Sequence, residues 1–259
     1  MTGPRWLAPL AIAGALLVVA PLVGLLARAS WGEMWALVTA PASLEALWLS
    51  LRTATAATAL VVALGVPLGF ALHSLHGRVR GAVRAVLLAP LVLPPVVGGL
   101  ALLYAFGRRG LLGGPLEEVG VSVAYTTAAV VLAQAFVAMP FMVVSVESAL
   151  ATHGSRREAI AATLGASRTR ILWRITLPAL GPALATGAVL AFARALGEFG
   201  ATLTFAGSLA GVTRTAPLEI YLARETDPAA AVALSIVLLV VAIAVVAIAY
   251  RPVAGREAR

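Results

Sequence analysis

Few side chains in this chain could do chemistry. Arg194 and Glu198 stand four residues apart in an otherwise apolar stretch, so on a helix they share one face. Such a pair can be a mutual ion pair that fixes the helix. It can also be an arginine that sets the potential of an anion route, with the glutamate compensating it. His73 and His76, at i and i+3, could reach a common metal, but no Cys or nearby carboxylate completes a site. They read as interfacial anchors, and no metal is expected. The chain has no Cys, and its 19 basic residues are all Arg. Disulfides, thiolate metal sites and iron–sulfur clusters are therefore excluded. So are a Schiff-base lysine and the lysine of a phosphate-binding P-loop. With one Asp and three His, no nucleophile–base constellation forms. No catalytic residue is expected, and the chain does not read as an enzyme or a membrane-bound sensor.

The elements that must position these residues follow from composition. The 259 residues are 61% hydrophobic and 12% charged, against about a quarter charged in soluble domains. A bilayer crossing needs about 20 predominantly apolar residues. Runs of suitable length predict six spans, at about 6–27, 47–72, 85–107, 121–146, 175–198 and 228–250. The run 199–213 is short and Gly-rich, too brief for a straight crossing. In lipid the spans must be helical, because each backbone polar group needs an internal partner. The fold class expected is thus an all-α membrane protein, a single transmembrane domain over 1–259 with no separate soluble unit. The net charge of +8 would suggest nucleic acid in a soluble protein, but here the arginines lie in loops between spans. Twelve of them fall at the N-terminus, in 73–84, in 147–174 and in the tail, against five in the alternate loops. That asymmetry puts both termini in the cytoplasm. Residues 1–29 resemble a signal peptide, yet their 22-residue apolar run exceeds the usual core of about 7–15, so an uncleaved first span is expected.

Two spans carry helix breakers: Pro67, read as a packing kink, and the cluster Pro90, Pro94, Pro95, Gly98, Gly99. The cluster predicts a bent helix lining a pathway, with Pro94, Pro95 and Gly98 as candidates. Glu147 reads as a boundary residue, and Gln134 with Met139-Pro140 as packing and kink. The longest polar loop holds Ser155-Arg156-Arg157-Glu158, which has the form of a capping box. A short helix through Ala159–Leu164 would follow, ending at Gly165 in the left-handed conformation. Ile160 and Leu164 fall on one face, and Ser167 marks a second helix start. A separately capped helix with an apolar face suits a docking contact or a lipid-lying element.

At this point the chain resembles a family. Glu158-Ala159-Ile160-Ala161-Ala162-Thr163-Leu164-Gly165, nine residues, then Ile175-Thr176-Leu177-Pro178 is similar to the signature loop of permeases of binding-protein-dependent ABC importers. The Glu stands one residue earlier than in the usual pattern. Ala89–Pro95, Gly107-Arg108-Arg109-Gly110, Phe192–Thr202 and Gly211–Thr215 resemble the molybdate branch, and the resemblance covers nearly the whole chain. Where that branch often has Gly-Asn-Ile-Pro-Gly, this chain reads Gly207-Ser208-Leu209-Ala210-Gly211.

The resemblance implies a bacterial or archaeal plasma-membrane (inner-membrane) permease that imports an oxyanion, molybdate first, with sulfate or tungstate as alternatives. It implies a second copy of the chain, two cytoplasmic ATPase subunits and an external oxyanion-binding protein as partners. Lipid surrounds the chain, and no nucleic acid is expected. ATP and magnesium would sit on the ATPase, and this chain would bind no cofactor. Ser155, Glu158, Ile160, Ala161, Leu164 and Gly165 would form the coupling helix to the ATPase. A proton-coupled secondary transporter working through Glu198 is the rival class, although such transporters usually show paired broken helices, and only one span here is strongly broken.

Overall fold

The computed structural model describes residues 6–152 and 156–249. Every regular element among them is helical. The chain runs through α1 (Leu7–Ala27), α2 (Met34–Thr39), α3 (Pro41–Ser74), α4 (Gly77–Leu88), α5 (Pro95–Phe106), α6 (Gly113–Glu118) and α7 (Thr127–Thr152). It continues through α8 (Arg156–Thr163), α9 (Arg168–Ile171), α10 (Leu177–Leu196), α11 (Gly200–Ala206), α12 (Ala216–Thr226) and α13 (Pro228–Ala249). Residues Leu172–Thr176 form a π-helical turn that joins α9 to α10, so 168–196 is one continuous helix. Among the described residues five helices are long and apolar enough to cross a membrane: α1, α3, α7, the 168–196 helix and α13.

The segment expected as a third span, 85–107, is not one straight helix. After α4 a short 3-10 turn covers Ala89–Leu91, and α5 leaves the break at 110°. The sequence explains the stop. Pro94 and Pro95 have no N–H to donate, and a residue before proline is pushed out of the helical region. Pro94 is accordingly non-helical, and Pro95 takes the first helical position of α5, where a missing N–H costs nothing. Other boundaries shift for local reasons too. The helix of the fourth expected span begins at Thr127 rather than 121, just after Tyr125 adopts φ +61°. The run 199–213 gives α11, which ends at Gly207 with φ +72°.

α3, α7 and α10 form the centre, built largely of small residues: Ala54, Ala57, Ala135, Ala138, Ala191 and Ala195, with Val61, Met142 and Val146 between them. Lipid offers no hydrophobic drive for helices to associate, so close van der Waals approach must hold them, and small side chains allow it. Gly69 shows the constraint: a Cβ there would lie 2.6 Å from Val146 Cβ. A second cluster joins α5, α7 and α11 through Leu102, Ala129, Ala133, Ala201 and Phe205. Among the described residues α1 has none buried.

Candidate coupling and pathway sites

α8 ends as its sequence predicts. Gly165 has φ +81°, its N–H donates to Ala162 O, and the Ala166 N–H reaches back to Ala161 O, both at 3.0 Å. This paired closure satisfies the last carbonyls of the helix. Ser167 then caps α9, its hydroxyl accepting from the Arg170 N–H at 3.3 Å. On α8 and just past its end, Ile160 and Leu164 are 52% and 82% exposed, so much of the apolar pair faces outward. Ala161 is half-buried. Ser155 lies outside the described residues. Glu158 is turned away from the exposed face: its Oε1 accepts the hydroxyl proton of Thr176, in the π-helical turn. Both residues, with His73, Ser74 and Arg168, line a cleft of about 580 Å³ between α8 and the bundle. His73 Nδ1 is buried there without a hydrogen-bond partner among the described residues.

The second candidate group meets at the far end of α10. Arg194 Nη1 lies 2.6 Å from Glu198 Oε2, and the Glu198 side chain is 1% exposed. The other carboxylate oxygen accepts the Ala201 N–H at 2.8 Å. Glu198 therefore has both oxygens satisfied, one by a guanidinium and one by the positive N-terminal end of α11. A buried carboxylate needs such compensation, because its own desolvation is costly. Pro95 and Gly200 touch so closely that a Cβ on Gly200 would sit 2.6 Å from Pro95 Cβ. The proline break and the Arg194–Glu198 turn are thus neighbours. Pro94 and Pro95 are exposed. Gly98 is buried against α7, where its Cβ position lies 3.3 Å from the Phe136 ring.

One buried charge is not evident from the sequence. Glu147, which reads there as a boundary residue, is held by two guanidiniums of α4: Arg80 Nη2 at 2.8 Å and Arg84 Nε at 3.2 Å. The i, i+4 spacing of those arginines is the available signal, but in a positively charged loop it reads as topology. Gln134 is fully buried. His76 does not join His73 at a metal site, and no group of three or more possible ligands occurs among the described residues.

Residues 62–256 match the family model described as "Binding-protein-dependent transport system inner membrane component". The chain belongs to this family and is a multi-pass inner-membrane permease component of an ABC importer, not an enzyme. It is 56% identical over 239 residues to a protein of Mycobacterium tuberculosis named "Molybdenum transport system permease protein ModB", covering 92% of this chain and 90% of that one. It is 34% identical over 225 residues to the Escherichia coli "Sulfate transport system permease protein CysT", covering 86% of this chain and 81% of that one. The fold is similar to a chain in the crystal structure of a bacterial alginate ABC transporter in complex with an alginate pentasaccharide-bound periplasmic protein. The TM-score is 0.74 at 18% identity, covering 94% of this chain and 91% of that one.

Proposed function

We propose that this chain is the membrane-spanning permease of an ATP-driven oxyanion importer whose cargo is molybdate. The observation that carries the reading is the 56% identity, across nearly the full length, to a permease named for molybdenum transport. Sulfate is the second reading, supported by the more distant sulfate permease.

In this reading residues 1–259 form one domain of six spans, the bent α4–α5 pair serving as the third. Two copies enclose the path. Two cytoplasmic ATPase subunits, carrying ATP and magnesium, dock on the exposed Ile160–Leu164 face of α8. An external binding protein delivers the anion. Closure of the ATPases moves α8, and the spans rock between inward- and outward-open states. The permease itself should hold the anion weakly, since a path that bound it tightly could not release it. The scarcity of charge inside the spans suits that requirement. Pro94, Pro95, Gly98, Arg194 and Glu198 are the candidate pathway residues, and both termini lie in the cytoplasm.

The test is uptake into proteoliposomes containing the permease, its ATPase and the binding protein. Radiolabelled molybdate should accumulate only with ATP on the ATPase side, and excess sulfate should compete poorly. Uptake driven by a proton gradient without nucleotide would replace this reading with a secondary transporter working through Glu198.

A further inference from the structure

We infer that Thr176 is the point at which movement of α8 enters the fifth span, through its hydrogen bond to Glu158; the inference rests on the permease reading above. Thr176 is 5% exposed and is the last residue of the π-helical turn, directly before Leu177-Pro178. The turn has a local cause. In an α-helix Pro178 would leave the Arg174 carbonyl without a donor and would press its ring against that carbonyl. The helix is wound wider immediately before this proline, the Leu177 N–H reaching back to the Leu172 carbonyl, and such π segments collect at functional positions. The 168–196 helix is thus wound wider at this turn, and it lies where α8 comes back to the bundle.

Glu158 grips this turn from the other side. It stands in the first turn of α8, where a glutamate would ordinarily serve its own helix end. Its Oε1 is instead committed to Thr176, 18 residues further along the chain. Among the described residues this is the one side-chain hydrogen bond that leaves α8 for another helix. Ile160 and Leu164 remain exposed on α8, so the helix offers an apolar face outward and a single polar tether inward. Beyond Thr176, α10 runs 20 residues to Leu196, about 30 Å, and ends at the Arg194–Glu198 pair. A displacement of α8 thus reaches the π-helical turn through this hydrogen bond, beside the short 164–167 link, and from there acts on a rod that reaches the opposite end of the bundle. Thr176 is a positioning residue: it touches no cargo and sets where the load acts.

The experiment uses the complete complex of permease, ATPase and binding protein in lipid nanodiscs and proteoliposomes. Thr176→Val keeps the shape and removes the donor, whereas Thr176→Ser keeps the donor. Glu158→Gln keeps an acceptor oxygen, and Glu158→Leu does not. We expect Thr176→Val and Glu158→Leu to co-purify with the ATPase and hydrolyse ATP, yet to move at least tenfold less molybdate per ATP. Thr176→Ser and Glu158→Gln should stay within about twofold of the parent. Because the chain has no Cys, spin labels can be placed singly at Thr163 on α8 and at Ala185 on α10, and the distance between copies read with and without ATP. In Thr176→Val the Thr163 distance should change with nucleotide and the Ala185 distance should not. Parental uptake per ATP in Thr176→Val, or loss of ATPase binding in Glu158→Gln, would overturn the inference. If Thr176→Val does not fold, the contrast between the two Glu158 variants decides it. Failure of the parent complex to couple ATP to uptake would instead overturn the permease reading.

Discussion

Arg80 and Glu147 meet at 2.8 Å across 67 residues of chain, joining α4 to the last third of α7. Arg84 completes the contact from the next turn of α4. The exposures are unequal: the Glu147 side chain is 6% exposed, those of Arg80 and Arg84 37% and 52%. Removing the acid leaves two arginines that can hydrate. Removing both arginines strands a buried carboxylate, the case that is costly. Glu147→Gln should therefore cost about 1 kcal/mol, the worth of a hydrogen bond to partly screened charges. The Arg80→Gln, Arg84→Gln double variant should cost more, about 2–3 kcal/mol. Thermal unfolding in one detergent ranks the two, and an equal or smaller loss for the double variant would mean that Glu147 is hydrated.

Topology can be read from single cysteines in this Cys-free chain. Gly113 does not suit a label, because a Cβ there would collide with the Gly107 carbonyl. Ser122 and Thr169 are exposed in the structure and are better sites. The Arg asymmetry puts Thr169 in the cytoplasm and Ser122 outside. Ser122→Cys should react with an impermeant maleimide in intact cells, and Thr169→Cys only after lysis. Reaction of both in intact cells would defeat the six-span arrangement.

For α8 the expected outcome is graded. Ile160→Asp or Leu164→Asp puts a charge on the exposed apolar face. Both should insert and fold normally yet fail to retain the ATPase on purification. Gly165 needs φ +81° but has open space around its Cβ position, so substitutions there probe conformation alone. Asn tolerates that region better than Ala, and a β-branched residue is the worst. ATPase stimulation should fall in the order Gly, Asn, Ala, Val at this position. Full stimulation by Ile160→Asp would leave α8 with no docking role.

What the sequence made legible was local. The left-handed Gly165, the Ser167 cap and the stop before Pro94-Pro95 each depend on neighbours a few residues away. Apolar runs marked the long helices for the same reason. What escaped it was set by distant partners. The proline cluster predicts that the third span bends, but not that α5 then lies against α11, where a Cβ on Gly99 would meet Thr204 at 2.6 Å. The burial of Glu147 depends on Arg80 and Arg84, and nothing in either segment alone points to the other. Glu158 has the spacing of a cap residue, and only the folded chain shows its oxygen committed to Thr176.

Arg194 and Glu198 separate a structural pair from an anion route. Glu198 is sealed, with one oxygen on Arg194 and the other on the Ala201 N–H, while the Arg194 side chain is 31% exposed. Glu198→Gln keeps an acceptor for Ala201 and leaves an arginine that can reach water, so the loss of stability should be about 1 kcal/mol. Arg194→Gln leaves a buried carboxylate with only the helix end for support, and it should cost more, about 2–4 kcal/mol. Converting both residues to Gln removes the stranded charge, so the double variant should recover most of the stability lost by Arg194→Gln. Uptake then distinguishes the two roles. A purely structural pair predicts that transport recovers along with stability. If Arg194 also shapes the potential along the oxyanion route, the double variant would fold well and still transport at least tenfold more slowly, about 1.4 kcal/mol in the barrier. Restored uptake in a stable double variant would remove Arg194 from the pathway.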